Sequence, residues 1–578
     1  MSNGHDDETT YEGHREGRAE LRAWRESQPK NFFEADPHFR RILPLYARQD
    51  LLDDLVAELS RFGSEAATVV DDLVKQNNEK ENLPRLDRWT GIGERTEKIE
   101  HHPTYHEAGK YIYGSGIMEA YSDHPNSVGV LSRMYVSSHN GEAGHNCPIA
   151  CTAGVIRVLQ ELAPDEIKDK YLPRFLDRDY DTHYEGAQFL TEVQGGSDVG
   201  KNATRAVEQD DGTYRIYGEK WFCSNIDADV FLMTARFEEA PEGTRGLGLF
   251  FVPRKLEDGT VNEFYVRRLK EKIGTRTMAS GECDFRGAVA YHMGEPEDGF
   301  KNMMNLVINT SRLYNAFACV GSARRAYMVA QGYAQHRVAF GQPILNYPLV
   351  KETLANVKAE LDAMVSSCVH MAWLQDRKDA GELGDVEGQF MRMALNLNKV
   401  RTAKGSRWAS VESIEVLGGN GAIETFSVLP RLLRDSIVTE NWEGTHNTLQ
   451  MQVMRDMAKY KVHEGFFAYL GECLEGAREE DAETVAQVKQ HIGQVMEDLS
   501  ELPQVDQGAA TLMMRPLMDR LSWIMYAAVR LWERGQLETT DEVDNASLEH
   551  FVEWRLGQKT DRRDPAYLQR IDTISKST

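Results

Sequence analysis

The sequence has 578 residues, which suggests about three or four domains, and 41% of them are apolar. That apolar share supplies sizeable cores and excludes wholesale disorder. Acidic residues outnumber basic ones by 91 to 67, a formal net charge of −24. This excess repels polyanions, so we expect neither a general nucleic-acid surface nor a surface for anionic membranes.

The seven cysteines do not form a metal-ligand pattern. They are scattered without a CxxC pair, and Cys147 and Cys151, preceded by His145, lack a second pair of ligands. We therefore predict buried thiols on a helix and no metal site. Residues 1–10 lack the apolar core of a signal peptide, and no apolar run has the length of a bilayer span. We expect a cytoplasmic protein with reduced thiols.

The N-terminal third reads as helical. Residues 1–30 are charged and weakly apolar, so we expect a mobile segment there. From residue 31 apolar positions recur at three- and four-residue spacing, as in Leu55, Leu59 and Phe62. The spacing predicts an N-terminal helical domain over residues 31–185.

The period changes near Ala187. Short runs of β-branched and aromatic residues follow one another, separated by Gly and Asp clusters, and Asp210-Asp-Gly212 has the composition of a hairpin turn. These features predict an antiparallel β domain over residues 186–292. The runs are Tyr214–Tyr217, Val230–Thr234 and Leu247–Val252.

Helical periodicity returns after Gly299. A stripe that steps by three and four residues predicts a long bundle helix, within a C-terminal helical bundle over residues 293–460. Residues 461–578 are predicted to form an additional helical domain, which is acidic, with 22 Asp and Glu against 13 Lys and Arg. The members of the stripe are Leu354, Val357, Leu361, Met364, Cys368 and Met371.

Three segments carry groups suited to binding a phosphorylated aromatic molecule. In Leu190–Asp198, a Gly-Gly-Ser turn offers open amides and hydroxyls for a phosphate or a flavin edge. In Gly218–Asn225, an aromatic pair precedes a hydroxyl just past a strand. In Arg337–Gly341, an Arg beside an aromatic residue can pair with a pyrophosphate and stack on a ring. Taken singly, the Gly-Gly-Ser turn is a weak signal because it is common loop chemistry, and Gly218–Asn225 is equally explained as a packed strand end.

A fourth pattern joins Leu417–Gly421 to Asn441–Thr445, about twenty residues later. The second segment places Glu443 between Trp442 and a Gly. An apolar neighbour should raise the pKa of this carboxyl group toward the range that a general base needs. As an isolated carboxylate, it is better explained as a solvated loop residue.

In this order and spacing, the segments resemble the acyl-CoA dehydrogenase superfamily. The resemblance spans roughly residues 165–455, and more loosely the region upstream. It implies an α+β, mostly helical fold with an N-terminal helical domain, a middle antiparallel β domain and a C-terminal four-helix bundle, plus an extra C-terminal helical domain. The matching motifs are Lys170–Pro173, Thr191-Glu192, Gly196-Ser197-Asp198, Lys272–Arg276, Arg337, Phe340-Gly341 and Trp442-Glu-Gly-Thr445.

The resemblance also implies FAD as the cofactor. Leu190 and Thr191 would contact the flavin ring, and Gly196 with Ser197 would lie at the cofactor phosphates and the acyl-CoA entrance. The other implied cofactor contacts are Phe222 over the flavin, Ser224 near its N5, Arg337 at the pyrophosphate, Phe340 against the adenine portion, Gly418 and Gly419 along the adenine site, and Thr445.

Glu443 matches the catalytic base of the family. It would remove the pro-R α-proton of an acyl-CoA while the β-hydrogen leaves as hydride to flavin N5, which gives the trans-2-enoyl-CoA. Some relatives place the base before an Arg on another helix, but here Ser311 precedes Arg312. The implied substrate contacts are Ser197, Arg312, Trp442 and Arg455.

Several positions depart from the family pattern. Trp442 replaces a Tyr, which reshapes the acyl pocket, and Phe222 and Ser224 replace a Trp and a Thr. Glu415 and Ala339 stand where a Gln and a Thr are common, and each change weakens an expected hydrogen bond to the cofactor.

The long N-terminal part and the extra C-terminal helices resemble an enlarged branch that includes the alkylation-response flavoproteins. Those relatives are associated with DNA through a basic C-terminal region, so a DNA-associated flavoprotein with little turnover is the alternative function. A catalytically idle scaffold is a further alternative, which the intact Glu443 disfavours. Because the C-terminal segment is acidic here and phosphate backbones bind clustered Lys and Arg, no nucleic-acid partner is expected.

The resemblance implies three partners. They are an acyl-CoA substrate of fatty acid β-oxidation, an electron-transferring flavoprotein as acceptor, and further copies of the chain in a homodimer or homotetramer. The last follows because Arg337 would serve the FAD of a neighbouring subunit.

Overall fold

The computed structural model describes residues 12–557 and 560–578. Its N-terminal part is a layer of helices with one hairpin, β1 and β2. The elements are α1 (Glu12–Glu26), α2 (Pro37–Tyr46), α3 (Leu52–Glu65), α4 (Asp71–Asn77), β1 (Arg85–Trp89), β2 (Arg95–Glu100), α5 (Pro103–Gly114), α6 (Ser127–Ser138), α7 (Ala143–Glu161) and α8 (Asp165–Phe175).

The expected mobile segment over residues 1–30 is only partly open to comparison. Residues 1–11 lie outside the described residues, but from Glu12 the chain is helical and packed, which differs from the expectation. Trp24 is buried, stacks on Phe426 with ring centroids 5.1 Å apart, and donates from Nε1 to the Val329 carbonyl at 3.3 Å. One large aromatic side chain therefore anchors a segment whose composition is otherwise polar.

The hairpin was not expected within the helical domain. Leu86 of β1 and Ile99 of β2 pack into the core of the middle sheet rather than among the helices. The hairpin therefore belongs to the β domain by packing, although it precedes that domain in sequence by about ninety residues.

The middle domain is a seven-stranded sheet in which most pairs are antiparallel, as predicted. Residues 210–212 form the turn between β4 and β5, which pair antiparallel from Glu208 opposite Tyr214. Two pairings are parallel, β3 with β6 and β4 with β6, and β6 also pairs with β7. The strands are β3 (Gly186–Phe189), β4 (Arg205–Glu208), β5 (Tyr214–Ser224), β6 (Val230–Phe237), β7 (Leu247–Pro253), β8 (Phe264–Leu269) and β9 (Ser280–His292).

The remaining elements are helices with one short hairpin. The apolar stripe predicted on one of them lies on α11, and all six of its members are buried. The elements are α9 (Gly299–Asn302), α10 (Asn309–His336), β10 (Val338–Ala339), β11 (Gln342–Pro343), α11 (Pro348–Asp379), α12 (Asp385–Leu417), α13 (Leu429–Thr439), α14 (His446–Tyr460), α15 (Val462–Glu475), α16 (Ala482–Glu501), α17 (Gln507–Gln536), α18 (Glu542–Leu556) and α19 (Pro565–Ser575).

One large hydrophobic core joins most of the helices, whereas α19 packs in a small separate cluster with Ala355 of α11. Leu43 of α2, Leu361 of α11 and Met525 of α17 belong to this large cluster of buried side chains, so α17 packs directly against the bundle. Inside this core Arg324 is fully buried and pairs with Asp36 at 3.0 Å. In residues 12–557 and 560–578, no helix is long and apolar enough to cross a bilayer.

Candidate active site

Glu443 lies in the tight loop between α13 and α14. Its backbone is left-handed at φ +55°, and the next residue, Gly444, has φ +104°. A glycine is needed there because a side chain at that φ would be strained. Two cations hold the loop: Arg312 Nε donates to the Glu443 carbonyl at 3.2 Å, and Lys399 Nζ donates to the carbonyls of Gly444 and Glu440 at 2.9 Å each. The loop is therefore fixed from α10 and α12.

The Glu443 carboxylate is half-buried and faces the β domain. Gln188 of β3 donates from Nε2 to Glu443 Oε1 at 3.0 Å. Burial raises the pKa of Glu443 to about 7, against the opposing effects of the Arg312 and Lys399 charges and the Gln188 hydrogen bond. The direction is the one expected from the sequence, and it places the group where a general base operates near neutral pH.

Trp442, the residue before Glu443, packs against α7 and the β domain. Its ring packs on Cys147 and Cys151 of α7 and on Met278. As predicted, the two cysteines are buried helix thiols; all seven cysteines are buried and none forms a disulfide. His145 is equally buried and its Nε2 lies 2.9 Å from the Tyr105 carbonyl, so it serves packing here.

The Leu190–Asp198 segment lies beside Glu443 and is tied to it through α14. Ser197 Oγ is 3.3 Å from Thr448 Oγ1, and Thr448 Oγ1 is 3.0 Å from Thr445 Oγ1. Thr445 also caps α14, because its hydroxyl accepts from the Thr448 amide at 3.4 Å. A side chain at position 196 would collide with the Thr191 hydroxyl, so Gly196 lets the turn fold back on Thr191. Leu190 and Thr191 are half-buried at the start of this segment.

Glu192, part of the matched motif but given no role from the sequence, anchors that segment. Both carboxylate oxygens are used: Oε1 accepts from Lys220 Nζ at 2.8 Å, and Oε2 accepts from the Ala203 amide at 2.7 Å. Lys220 lies on β5 and is almost fully buried. The opposite charge of Lys220 and the hydrogen bonds hold the pKa of Glu192 below its ordinary value, although burial opposes them.

Phe222 and Ser224 end β5 next to the same segment. The Trp221 amide donates to the Thr191 carbonyl at 2.9 Å, which places the strand end against Thr191. Phe222 is 55% exposed, which is unusual for so large an apolar ring. Lys270 Nζ lies 3.7 Å from the Trp221 ring centroid and 4.9 Å from that of Phe222. The exposed ring and the cation together form an open edge next to the segment that contains Thr191.

A second group of predicted cofactor residues lies at the far end of α10. Arg337 follows that helix and pairs with Glu20 of α1 at 2.9 Å, whereas Arg312 lies in its first turn. From residue 312 to residue 336 there are 24 steps of about 1.5 Å, or about 36 Å of helix. Phe340 is 98% exposed at the tip of the β10–β11 hairpin. Gly418 and Gly419 lie at this end too, since the neighbouring Asn420 donates to Tyr333 Oη at 3.2 Å.

The predicted substrate contacts are dispersed along the site. Ser197 and Trp442 flank Glu443, as described above. The Arg312 guanidinium is buried and bonds to Asn396 Oδ1 at 2.9 Å as well as to the Glu443 carbonyl, so its contacts here are with the protein. Arg455 lies further along α14, is exposed, and pairs with Asp456 at 2.9 Å. Its assignment to the CoA moiety stays a prediction.

Three residues at the site were not found from the sequence: Gln188, Lys399 and Thr448. Each acts through a contact with a residue distant in the chain, as Gln188 does with a carboxylate 255 positions away. Gln188 lies on β3, where successive side chains point to opposite faces of the sheet. That alternation does not say which face Glu443 lies on, so the contact could be recognised only from the structure. Lys399 carries no local signal beyond being a cation within a buried helix.

The two groups suit FAD. Phe222 and Phe340 offer open aromatic faces, and the Arg337 guanidinium is the type of donor that pairs with a pyrophosphate. Among the residues that the structure describes, a Cβ atom at Gly418 or Gly419 would meet no heavy atom within 4 Å beyond its chain neighbours, so the backbone is open to close approach there. The polar turn around Gly196 and Ser197 adds hydroxyl and amide groups. The donor set therefore matches a flavin with a nucleotide tail.

Comparison with known families accounts for most of the chain. Residues 24–182 match "Adaptive response protein AidB N-terminal domain". Residues 187–288 match "Acyl-CoA dehydrogenase, middle domain", and residues 297–458 match "Acyl-CoA dehydrogenase, C-terminal domain". The boundaries follow the helical, sheet and helical parts of the fold.

Two relatives align over much of their length. Acyl-CoA dehydrogenase family member 11 of Caenorhabditis elegans is 30% identical over 486 residues, which cover 82% of this chain and 78% of the relative. AidB of Escherichia coli strain K12 is 31% identical over 390 residues, which cover 65% of this chain and 70% of that protein.

Solved structures agree with this placement. The crystal structure of Caenorhabditis elegans ACDH-11 in complex with C11-CoA superposes with a TM-score of 0.84 at 26% identity, covering 93% of this chain and 94% of that one. An acyl-CoA dehydrogenase from Bacillus anthracis, complexed with FAD, shares the fold with a TM-score of 0.67 at 19% identity over 89% of this chain and 91% of that one. The chain thus belongs to the acyl-CoA dehydrogenase family, in the enlarged branch that includes the AidB-like proteins, and is an oxidoreductase with FAD as its cofactor.

Proposed function

We propose that Glu443 is the base that removes the α-proton of an acyl-CoA thioester, with the trans-2-enoyl-CoA as product. The observation that carries this proposal is the placement of the carboxylate: it lies between β3 and the bundle, on a loop fixed by Arg312 and Lys399. Burial raises its pKa to about 7, so near neutral pH it is partly ionised yet basic enough to accept a weakly acidic proton.

The protein would align the thioester with the base, partly exclude water from the site and supply charged groups around the base. The amide of Glu443 lies on the same left-handed turn as its carboxylate, and we assign it as a donor to the thioester oxygen, where negative charge develops. The cationic side chains of Arg312 and Lys399 favour the ionised base before proton transfer. FAD, when bound, would accept the β-hydrogen as a hydride at N5, and electron-transferring flavoprotein is the acceptor we propose to reoxidise it.

For the cofactor, we assign Leu190, Thr191, Phe222 and Ser224 to the flavin ring. Gly196, Ser197 and Thr445 are assigned to the adjoining polar part of the molecule. Their support is the contact network that joins the β5 end, the Gly-Gly-Ser turn and the start of α14. Arg337, Phe340, Gly418 and Gly419 are assigned to the pyrophosphate and adenine.

We further propose that the second group serves the FAD of another copy of the chain. The basis is the distance of about 36 Å along α10 between Arg312, near Glu443, and the helix end that carries Arg337. Within one chain, a single FAD molecule would have to bridge that distance to contact both groups of residues.

We expect Phe340→Ala to weaken FAD binding by about ten- to a hundredfold, because an adenine would lose its stacking partner. FAD retention and sedimentation measure this, with Ile92→Ala, another exposed apolar tip, as control. Unchanged FAD affinity would refute this role for Phe340.

The test of the activity is an anaerobic titration of the FAD-loaded protein with a panel of saturated acyl-CoAs. We expect the flavin absorbance to bleach with chains of one length class, since hydride transfer reduces the flavin. Reoxidation by electron-transferring flavoprotein then tests the acceptor. A bound flavin that no acyl-CoA bleaches would oppose the proposal and favour the alternative with little dehydrogenase turnover.

DNA association is not favoured by the charges of the described helices. In the C-terminal segment many basic side chains are already paired with acidic ones: Arg530 and Arg534 bind Asp544, and Arg570 binds Glu553. A phosphate backbone needs clustered Lys and Arg that are free to pair with it. The distribution therefore supports the dehydrogenase function over the alternative.

A further inference from the structure

Gln188 connects three parts of the fold: β3, α10 and the loop that carries Glu443. It lies on β3, its Nε2 is 3.0 Å from Glu443 Oε1, and the same nitrogen is 3.1 Å from Ser311 Oγ on α10. Both distances are those of hydrogen bonds. The proposed function assigns neither Gln188 nor Ser311 a role, and both side chains belong to elements other than the loop that carries the base.

The chemistry of the partners fixes which way the amide points. An ionised carboxylate only accepts hydrogen bonds, so the nitrogen of the Gln188 amide, and not its oxygen, must face Glu443. Ser311 is buried, and its hydroxyl lies 3.3 Å from Gln188 Oε1, to which it can donate. Ser311 Oγ is thus within hydrogen-bond distance of both polar atoms of the amide and ties the Gln188 side chain to α10, while the carboxylate of Glu443 sets which way the amide points.

The hydrogen bond also makes the two carboxylate oxygens of Glu443 unequal. Among the residues that the structure describes, Gln188 supplies the side-chain hydrogen bond to Glu443, and it reaches Oε1. Oε2 is left to approach the substrate. We propose that Gln188, braced by Ser311, is a positioning residue that holds Glu443 through Oε1 and so presents Oε2 to the α-proton of the acyl-CoA. This inference rests on the proposed role of Glu443 as the base.

The charged and polar groups around Glu443 determine how its pKa should change when Gln188 is replaced. The groups that face it are the Arg312 guanidinium from α10, the Lys399 ammonium from α12, the Cys151 thiol from α7 and the Gln188 amide from β3. The two cations and the Gln188 amide stabilise the ionised carboxylate. The pKa of the Cys151 thiol is raised, so this group is neutral. Removing the amide leaves the cations unchanged and makes ionisation harder, so the pKa of Glu443 should rise above about 7.

The test compares the pH profiles of kcat/KM for the FAD-loaded protein and its variants. For the unaltered protein we expect the rate to rise with pH through about 7, because the base must be ionised. In Gln188→Leu the rise should shift upward by about one pH unit, with kcat at neutral pH lower by about tenfold and KM little changed. Ser311→Ala should move the profile in the same direction by less. Gln504→Leu, at an exposed position in the turn between α16 and α17, is the matched control and should not move the profile.

The outcomes separate this inference from the proposed function. A Gln188→Leu profile that coincides with that of the unaltered protein would overturn the positioning role, even if Glu443→Gln is inactive. Full activity in Glu443→Gln would instead overturn the proposed function itself. If Gln188→Leu loses its FAD or its fold, Ser311→Ala decides: a shift toward higher pH supports the brace, and an unmoved profile contradicts it.

Discussion

Glu443→Gln is expected to reduce dehydrogenation by about 10²–10⁴-fold while the protein keeps its FAD. Glutamine has nearly the same shape as glutamate, and its side chain can still hydrogen bond to Gln188, which lies 3.0 Å away. What it loses is the ability to accept a proton at Oε2. The loop itself should persist, because Arg312 and Lys399 hold its backbone carbonyls and not the side chain.

The measurement is the rate of flavin bleaching after anaerobic mixing with an acyl-CoA that reduces the unaltered protein. The flavin absorbance before mixing reports cofactor retention in the same sample. Glu464→Gln, the same change at an exposed position on α15, is the control and should leave the rate unchanged. If Glu443→Gln keeps more than about a tenth of the rate, another group removes the proton, because that loss is smaller than removal of a general base causes.

The sequence was most informative where a function depends on neighbours in the chain. Trp442-Glu-Gly-Thr445 is a single loop, so the proposed base and its apolar neighbour could be predicted together, whereas the capping role of Thr445 came only from the structure. The long α11 stripe and the hairpin turn at 210–212 are similarly local and are confirmed. The order of helical, sheet and helical parts followed from changes in period alone.

What the sequence could not supply were pairings between distant segments. Gln188 reaches Glu443 across 255 positions, and no periodicity records such a contact. The parallel pairing of β3 with β6 depends on how the sheet closes, and each strand alone is equally compatible with an antiparallel neighbour. The packed α1 was missed for a different reason, since one buried Trp24 outweighs a charged composition.

Glu192→Leu is expected to lower the free energy of unfolding by about 3–5 kcal/mol and to reduce FAD retention. The change leaves Lys220 as an unpaired charge inside the β domain, where both side chains are almost fully buried. It also removes the acceptor for the amides of Ala203 and Thr204, which Glu192 binds at 2.7 and 3.2 Å. Because these bonds hold the turn that contains Gly196, the flavin loop should lose its shape. Thermal unfolding and the flavin absorbance of the purified variant measure the two effects.

Because Glu192 is paired with Lys220, a second substitution can separate the loss of stability from the loss of FAD. In Glu192→Leu the isolated Lys220 is most costly while charged, and burial already lowers its pKa. The deficit in stability should therefore shrink as pH rises toward the ordinary lysine range. Adding Lys220→Met removes the buried charge at every pH, so the double variant should regain most of the unfolding free energy. It should still retain FAD poorly, because Ala203 and Thr204 remain without their acceptor. If the double variant regained FAD as well as stability, Glu192 would matter only as a partner for Lys220 and not as the residue that shapes the loop.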